Sequence, residues 1–168
     1  MKKKKYKEII IISFLCLAIL YCGVCSAYRN IKYGDFFKVM RNENPLKENG
    51  YTYYVKAPNF LSFTGNLSIE EDIRIDTKDM EWTSFSLIIC PKPFGEYEVK
   101  AGIHLGKRNP DTLERHTDIY YILLNEEWKP DESEKESWEL YMKYKDEFDS
   151  GWDRVLKLKE AAENKWDL

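Results

Sequence analysis

The chain has 168 residues, of which 33% are charged, and a formal net charge of −3. Residues 1–27 hold five lysines against Glu8 and contribute +4, so the remaining body carries about −7. A body of this length forms one ordinary domain, and its acidity argues against binding to nucleic acid or to anionic lipid headgroups. Two histidines in the whole chain leave few candidates for acid–base or metal chemistry.

The N-terminus combines basic residues with an apolar run. An uncharged stretch at residues 9–27 follows the lysines, and as a helix it would be about 28 Å long, enough to span a bilayer. Small residues at Cys25 and Ala27 also suit signal peptidase, so residues 1–27 are either a retained signal-anchor or a cleaved signal peptide. The lysine excess predicts that the body lies on the non-cytoplasmic side, tethered to the membrane or exported after cleavage.

Three of the four cysteines, Cys16, Cys22 and Cys25, lie in this leader. The Cys-x-x-Cys spacing of the last two is interpreted as incidental, because a redox pair needs a folded turn at a helix start. A membrane-proximal cysteine can carry an acyl chain, although the residues before Cys22 and Cys25 fit a lipoprotein cleavage pattern poorly. Cys90 is the only cysteine of the body, which excludes a disulfide within it.

The segment after the leader has a weak pattern. Residues 28–50 are interpreted as a membrane-proximal connection that contains a short helix at residues 36–40. Asparagine and proline at residues 42–45, and the Asn49-Gly50 pair, are typical of turns. Residues 51–168 are predicted to form a single domain.

Alternating apolar and polar residues predict strands through the first part of this domain. Gly65 indicates a bulge or a close neighbour, and charged residues around Ile73 and Ile75 predict an edge strand guarded by carboxylates. The last strand is apolar on both faces, so it is expected to be central in the sheet. The predicted strands cover residues 51–57, 60–69, 70–76, 84–90, 96–105 and 118–125.

The pattern changes to helical spacing after Trp128. Ser133 and Glu136 have the spacing of a capping box, which predicts that a helix begins there, and Gly151 either kinks one long helix or separates two. From Glu126 to the C-terminus there are 14 acidic and 8 basic residues, so the helix is expected to have an acidic outer face. The sequence thus predicts an α+β fold: an N-terminal hydrophobic helix, then an antiparallel sheet of five or six strands packed by a C-terminal helix.

No catalytic, cofactor or metal site is predicted. His104 lies on the polar face of its strand and is interpreted as solvated. His116 and Asp118 are the only hint of a catalytic pair, but no nucleophile stands in a recognisable turn. An acidic run lacks the spacing and glycine of a calcium loop and is interpreted as a solvated edge; it comprises Glu70, Glu71, Asp72, Asp76 and Asp79.

Three other patterns have a plain and a functional interpretation. Lys107-Arg108 after Gly106 is interpreted as a hairpin turn, because the phosphate-loop pattern is absent. Asn66-Leu67-Ser68 is a formal N-glycosylation sequon that lies inside a predicted strand. An aromatic cluster predicts either core packing or a sugar-binding face, and it comprises Tyr51, Tyr53, Tyr54, Phe60 and Phe63.

The leading functional prediction is a non-enzymatic cell-envelope domain that binds another envelope or exported protein through the acidic helix or a sheet edge. An inhibitor or immunity-type protein and a structural subunit of an envelope assembly both fit this description. One alternative is a glycan-binding module that uses the Tyr-rich face. The other is a hydrolase built on His116 and Asp118, for which no complete site is visible.

Overall fold

A computed structural model of the chain describes residues 2–39, 45–56, 65–76, 78–91 and 97–166. The predicted α+β class is confirmed, with an N-terminal helix, a six-stranded antiparallel sheet and C-terminal helices packed on the sheet. The elements in chain order are α1 (Lys2–Val39), β1 (Leu46–Glu48), β2 (Tyr51–Lys56), β3 (Asn66–Glu71), β4 (Glu81–Pro91), β5 (Tyr97–Arg108), β6 (Arg115–Leu124), α2 (Lys135–Lys143), α3 (Lys145–Ser150) and α4 (Trp152–Trp166).

Helix α1 runs without a break from Lys2 to Val39. Its segment Ile9–Tyr28 is long and apolar enough to cross a membrane, and none of that segment is buried in the protein. A membrane anchor and a signal sequence share this composition. The short helix predicted at residues 36–40 is, over its described part, the end of α1, and the predicted connection also contains β1.

The six strands form a meander in the order β1-β2-β3-β4-β5-β6. The turn predicted at Asn49-Gly50 is confirmed as the β1–β2 hairpin, with φ of +52° and +82°. Both values suit a two-residue turn of type I′, which needs positive φ at each central position. The turn residues predicted at 42–44 lie outside the described residues.

One face of the sheet forms the core with α2–α4. Strand register places one buried residue from each of five strands side by side in a row: Tyr53, Ile69, Leu87, Ala101 and Ile122. The helices contribute Phe148, Val155 and Leu158, each 1% exposed or less, to the same cluster. The residues that alternate with this row point to the opposite face, which is called the outer face below.

Two strand predictions were wrong. Residues 72–76 have no regular structure, and the carboxylates predicted to guard an edge strand belong partly to the end of β3. Strand β6 lies at the sheet edge rather than in its centre, because α2 packs against it and covers apolar residues that a second strand would otherwise cover. The other predicted strands are confirmed where they are described; residues 57, 60–64 and 96 lie outside the described residues.

Two local predictions at glycine and basic residues also differ from the structure. Gly65 precedes β3 with φ of +61°, and the β2–β3 register is continuous, so no bulge forms there. Lys107 and Arg108 belong to β5 rather than to a hairpin turn. Arg108 is buried and donates a hydrogen bond to the carbonyl oxygen of Asp76 at 3.1 Å, which explains why the strand continues through it.

The capping box predicted at Ser133 and Glu136 is wrong. Asp131 Oδ1 accepts hydrogen bonds from the backbone N–H and the hydroxyl of Ser133, at 2.9 and 2.7 Å, so Ser133 does not cap the helix. Helix α2 begins at Lys135 without a side-chain cap. Three helices replace the one or two predicted, with breaks at Tyr144 and at Gly151.

Candidate functional site

The predicted pair of His116 and Asp118 lies on β6 and is open to solvent. Their side chains are 79% and 52% exposed, with Nε2 3.1 Å from Oδ1. An exposed pair of this kind contributes little to stability and does little to activate a base. Among the described residues, no serine or cysteine forms a hydrogen bond with His116, so the geometry supplies no nucleophile for hydrolysis.

The outer edge of β6 pairs with no other strand of the described sheet. The N–H of Leu123 donates to Ser137 Oγ at 2.6 Å, and its carbonyl accepts the N–H of Asp131 at 2.9 Å, so both groups point away from β5. The β5–β6 register is continuous, and in a strand the same orientation recurs at every second residue. The backbone groups of Thr117, Ile119 and Tyr121 therefore also point outward, and no described residue forms a backbone hydrogen bond with them there.

The opposite edge of the sheet is β1, a short strand whose charged side chains disfavour pairing with another chain. Strand β1 has three residues. Lys47 forms an ion pair with Asp72 at 3.0 Å, and Glu48 forms one with Lys165 of α4 at 2.5 Å. Short, charged edge strands resist pairing with other chains. The two edges therefore differ, and β6 offers the longer unpaired run.

On the outer face His104 is not the solvated residue that was predicted. It is half-buried, and its Nε2 lies 2.8 Å from Ser86 Oγ. Burial lowers the pKa of His104, and the nearby carboxylates of Glu70 and Glu71 only partly oppose that effect. Because Ser86 is 1% exposed, its hydroxyl cannot reach a substrate, so the contact positions the imidazole rather than creating a nucleophile.

The lowered pKa of His104 predicts a pH dependence of stability. The unfolded chain takes up a proton as the pH falls through about 6.5, whereas the folded chain does so only at lower pH. The free energy of unfolding should therefore decrease on acidification below about pH 6.5, and His104→Gln should reduce that decrease. Urea unfolding measured from pH 8 to pH 5 tests this. His116→Gln is the matched control, and an equal flattening in both variants would contradict the assignment.

The predicted acidic run does not converge on one point. Glu71 binds Arg154, Asp72 binds Lys47, and Asp79 Oδ2 accepts the N–H of Asp76 at 2.7 Å. In the part of the chain that the structure describes, no group of three acidic, histidine or cysteine side chains could hold a metal ion.

The predicted Tyr-rich face is divided between the two sides of the sheet. Tyr53 is 4% exposed and meets Trp166 edge-to-face, with ring centroids 5.7 Å apart. Tyr51 is on the same side, whereas Tyr54 alternates to the outer face. Phe60 and Phe63 lie outside the described residues. The tyrosines of β2 therefore do not form a single sugar-binding surface.

The acidic residues expected on the outer face of the helices are mostly balanced there by basic residues. Residues 135–166 hold eight acidic and seven basic residues, several of them in ion pairs one turn apart such as Lys159–Glu163 at 2.6 Å. The excess lies in the connection at residues 125–134, which borders a cleft of about 720 Å³. Of the five carboxylates that line this cleft, Glu98, Glu127 and Glu163 form ion pairs with Lys100, Lys129 and Lys159, which balances most of its charge.

Comparisons with protein families, with curated proteins and with solved structures found no match for this chain. Function therefore has to be argued from the surfaces described above. Among those surfaces, the free edge of β6 presents a run of outward backbone groups that form no backbone hydrogen bond with the described residues.

Proposed function

We propose that the protein is an envelope-tethered or exported domain that binds another exported protein by strand addition at β6. The observation that carries this proposal is the outward orientation of the backbone groups of Thr117, Ile119 and Tyr121. In strand addition, an extended segment of the partner satisfies such groups with main-chain hydrogen bonds. The side chains at alternate positions then provide selectivity.

The closed end of the edge limits how the partner aligns. The backbone N–H and carbonyl of Leu123 already form hydrogen bonds with Ser137 and Asp131, so an added strand must end before that residue. The open run from Arg115 to Tyr121 accommodates an extended segment of about seven residues, roughly 23 Å long. Arg115, His116 and Asp118 are exposed along it and supply charges of both signs for recognition.

The N-terminal helix supports the proposal that this binding takes place outside the cytoplasm. Helix α1 carries lysines ahead of an apolar segment, an arrangement that directs the following domain across a membrane. The partner would then lie in the same compartment, as an envelope component or as an exported protein that the domain inhibits. The near balance of charge on α2–α4 disfavours the alternative of an acidic helical interface.

Site-specific crosslinking in cells that express the full chain tests the proposal. A photoreactive residue in place of Thr117 should give a discrete adduct, and the same residue in place of the exposed Lys157 on α4 should not. Ile119→Pro removes an outward N–H that a partner strand would bind, so it should abolish the adduct. The fold should persist, because proline is tolerated at an edge strand whose N–H faces solvent. Ile119→Thr keeps the N–H and should preserve the adduct.

Two outcomes would overturn the proposal. One is an adduct that forms equally in Ile119→Pro and Ile119→Thr, since it would not depend on backbone pairing. The other is crosslinking from position 157 alone, which would move the interface to the helices. Circular dichroism of both variants establishes that each retains the fold.

A further inference from the structure

The outer face of β5 carries two glycines that are each covered by an aromatic ring. Gly106 is directly opposite Trp82 of β4, and Gly102 is directly opposite Tyr121 of β6. A Cβ at Gly106 would lie 1.9 Å from Trp82 Cε2, and one at Gly102 would lie 2.5 Å from Tyr121 Cε1. Both rings therefore occupy the space above β5 that a larger residue would fill.

The contact at Gly106 indicates that the Trp82 indole lies flat on the sheet. The ring atom of Trp82 closest to the absent Cβ is Cε2, followed by its two bonded neighbours Nε1 and Cζ2 at 2.1 and 2.3 Å. An approach in the ring plane would meet Nε1 first, so the face of the indole covers Gly106. The Tyr121 atoms nearest to the absent Cβ of Gly102 are Cε1 and Cδ1, at 2.5 and 2.8 Å, so one side of its ring lies over that glycine.

His104 completes a line of three rings along β5. It lies midway between Gly102 and Gly106 on the same face, held by its hydrogen bond to Ser86. Residues on one face of a strand are about 6.6 Å apart, so the line is about 13 Å long. The three residues Trp82, His104 and Tyr121 are called the aromatic track. All three side chains are partly exposed, and the core helices pack on the other side of the sheet.

We propose that the aromatic track binds a linear neutral oligosaccharide. The face of an aromatic ring carries partial negative charge and attracts the C–H groups on the flat side of a sugar ring. The length of the track fits consecutive sugars rather than one. Two polar groups near the track could bind hydroxyls. Thr117 is opposite Gly106, and the Arg115 guanidinium lies over the Trp82 ring, 6.0 Å from its centroid, so a sugar would have to displace it or stack beside it.

The charges around the track favour a neutral ligand over single-stranded nucleic acid. Bases also stack on aromatic rings, but that binding requires a basic groove along the phosphates. Here Glu70 lies at one end of the track and Arg115 at the other, so the two charges oppose each other, and the body as a whole carries about −7. The lowered pKa of His104 keeps the middle of the track uncharged at neutral pH. This surface adjoins the β6 edge, because Tyr121 contributes its side chain to the track and its backbone to the edge.

Calorimetric titration of the full chain tests the proposal, in micelles of a zwitterionic detergent because maltoside headgroups are themselves sugars. The probes are the monomers and linear hexamers of glucose and of N-acetylglucosamine. At least one hexamer should bind at least tenfold more tightly than its monomer. Trp82→Leu and Tyr121→Leu should each weaken that binding at least tenfold, while Trp82→Phe should weaken it less.

Trp128→Leu is the matched control, because Trp128 borders the cleft on the other side of the sheet, and its binding should be unchanged. Gly106→Ala tests placement, since its Cβ displaces the Trp82 ring without removing it, and it should weaken binding as Trp82→Leu does. Thermal unfolding confirms that each variant is folded. Failure of every hexamer to bind, equal binding by the wild type and the track variants, or binding of oligothymidylate instead would overturn the proposal.

Discussion

Replacing Glu71 with alanine is expected to lower the free energy of unfolding by about 3 kcal/mol. Glu71 accepts two hydrogen bonds from Arg154, at 2.8 and 2.6 Å, and a third from the N–H of Phe85 at 2.8 Å. Its side chain is 12% exposed, so the substitution leaves a guanidinium and a backbone N–H without their acceptor in a partly buried site. Urea unfolding of the full chain, followed by tryptophan fluorescence, measures the loss.

A double-mutant cycle separates the ion pair from the rest of the effect. Arg154→Ala should cost less, about 2 kcal/mol, because Arg154 is 37% exposed and solvent replaces part of its interaction. The double variant should be less destabilised than the sum of the two. Lys47→Ala, which breaks an exposed pair with Asp72, should cost about 0.5 kcal/mol or less. A similarly small loss at Arg154 would mean that the pair does not join α4 to the sheet.

The sheet could be predicted because its signal is local. Alternation correctly predicted β5, in which Val99, Ala101 and Ile103 lie in the core, and the Asn49-Gly50 pair correctly marked a turn. Both depend on residues within a few positions of each other. The α+β class follows from such patterns when strands precede helices along the chain.

The errors arose where a contact that the local sequence pattern does not reveal determines the structure. Strand β6 has apolar residues on both faces, which is typical of a central strand, but α2 covers its end through Ser137. Ser133 had the right spacing for a cap, and Asp131 engages it instead. Three-residue spacing cannot reveal such competition for a hydroxyl group.

The aromatic track could not have been predicted at all from single-sequence patterns. Trp82 and Gly106 are 24 positions apart, and only the register of β4 against β5 makes them neighbours. His104 was assigned correctly to the polar face of its strand, but its burial depends on Ser86 from another strand. The two glycines on one face of β5, Gly102 and Gly106, are a usable signal once a neighbouring strand with aromatics is known.

The two faces of the sheet therefore have different roles in the proposed function. The inner face holds the large apolar residues and the helices, so it determines stability. The core helices lie on the other side from the outer face, and the β6 edge is covered by α2 only at its Leu123 end, so these surfaces hold the groups available to ligands. Strand addition at the edge would extend the sheet without covering the track. Trp82→Leu changes only the track, because Trp82 lies on β4, so it should leave partner binding at the β6 edge unchanged.

Gly151→Ala is expected to destabilise the protein by about 3 kcal/mol, although alanine usually favours a helix over glycine. The added Cβ would lie 2.0 Å from Phe85 Cζ, closer than any van der Waals contact. Phe85 is 1% exposed, packs against Phe148 and lies under the guanidinium of Arg154, so its ring cannot retreat. Because φ at Gly151 is −108°, the requirement is space rather than backbone conformation.

Removing the clash should recover much of this loss. Phe85→Leu shortens the opposing side chain, so the double variant should be more stable than the sum of the single effects predicts, by at least about 1 kcal/mol. Gly23→Ala makes the same chemical change in open space and should leave domain stability unaltered. Strict additivity of Gly151→Ala and Phe85→Leu would show that the added Cβ does not clash with the Phe85 ring. The break between α3 and α4 would then have to be explained by chain geometry alone.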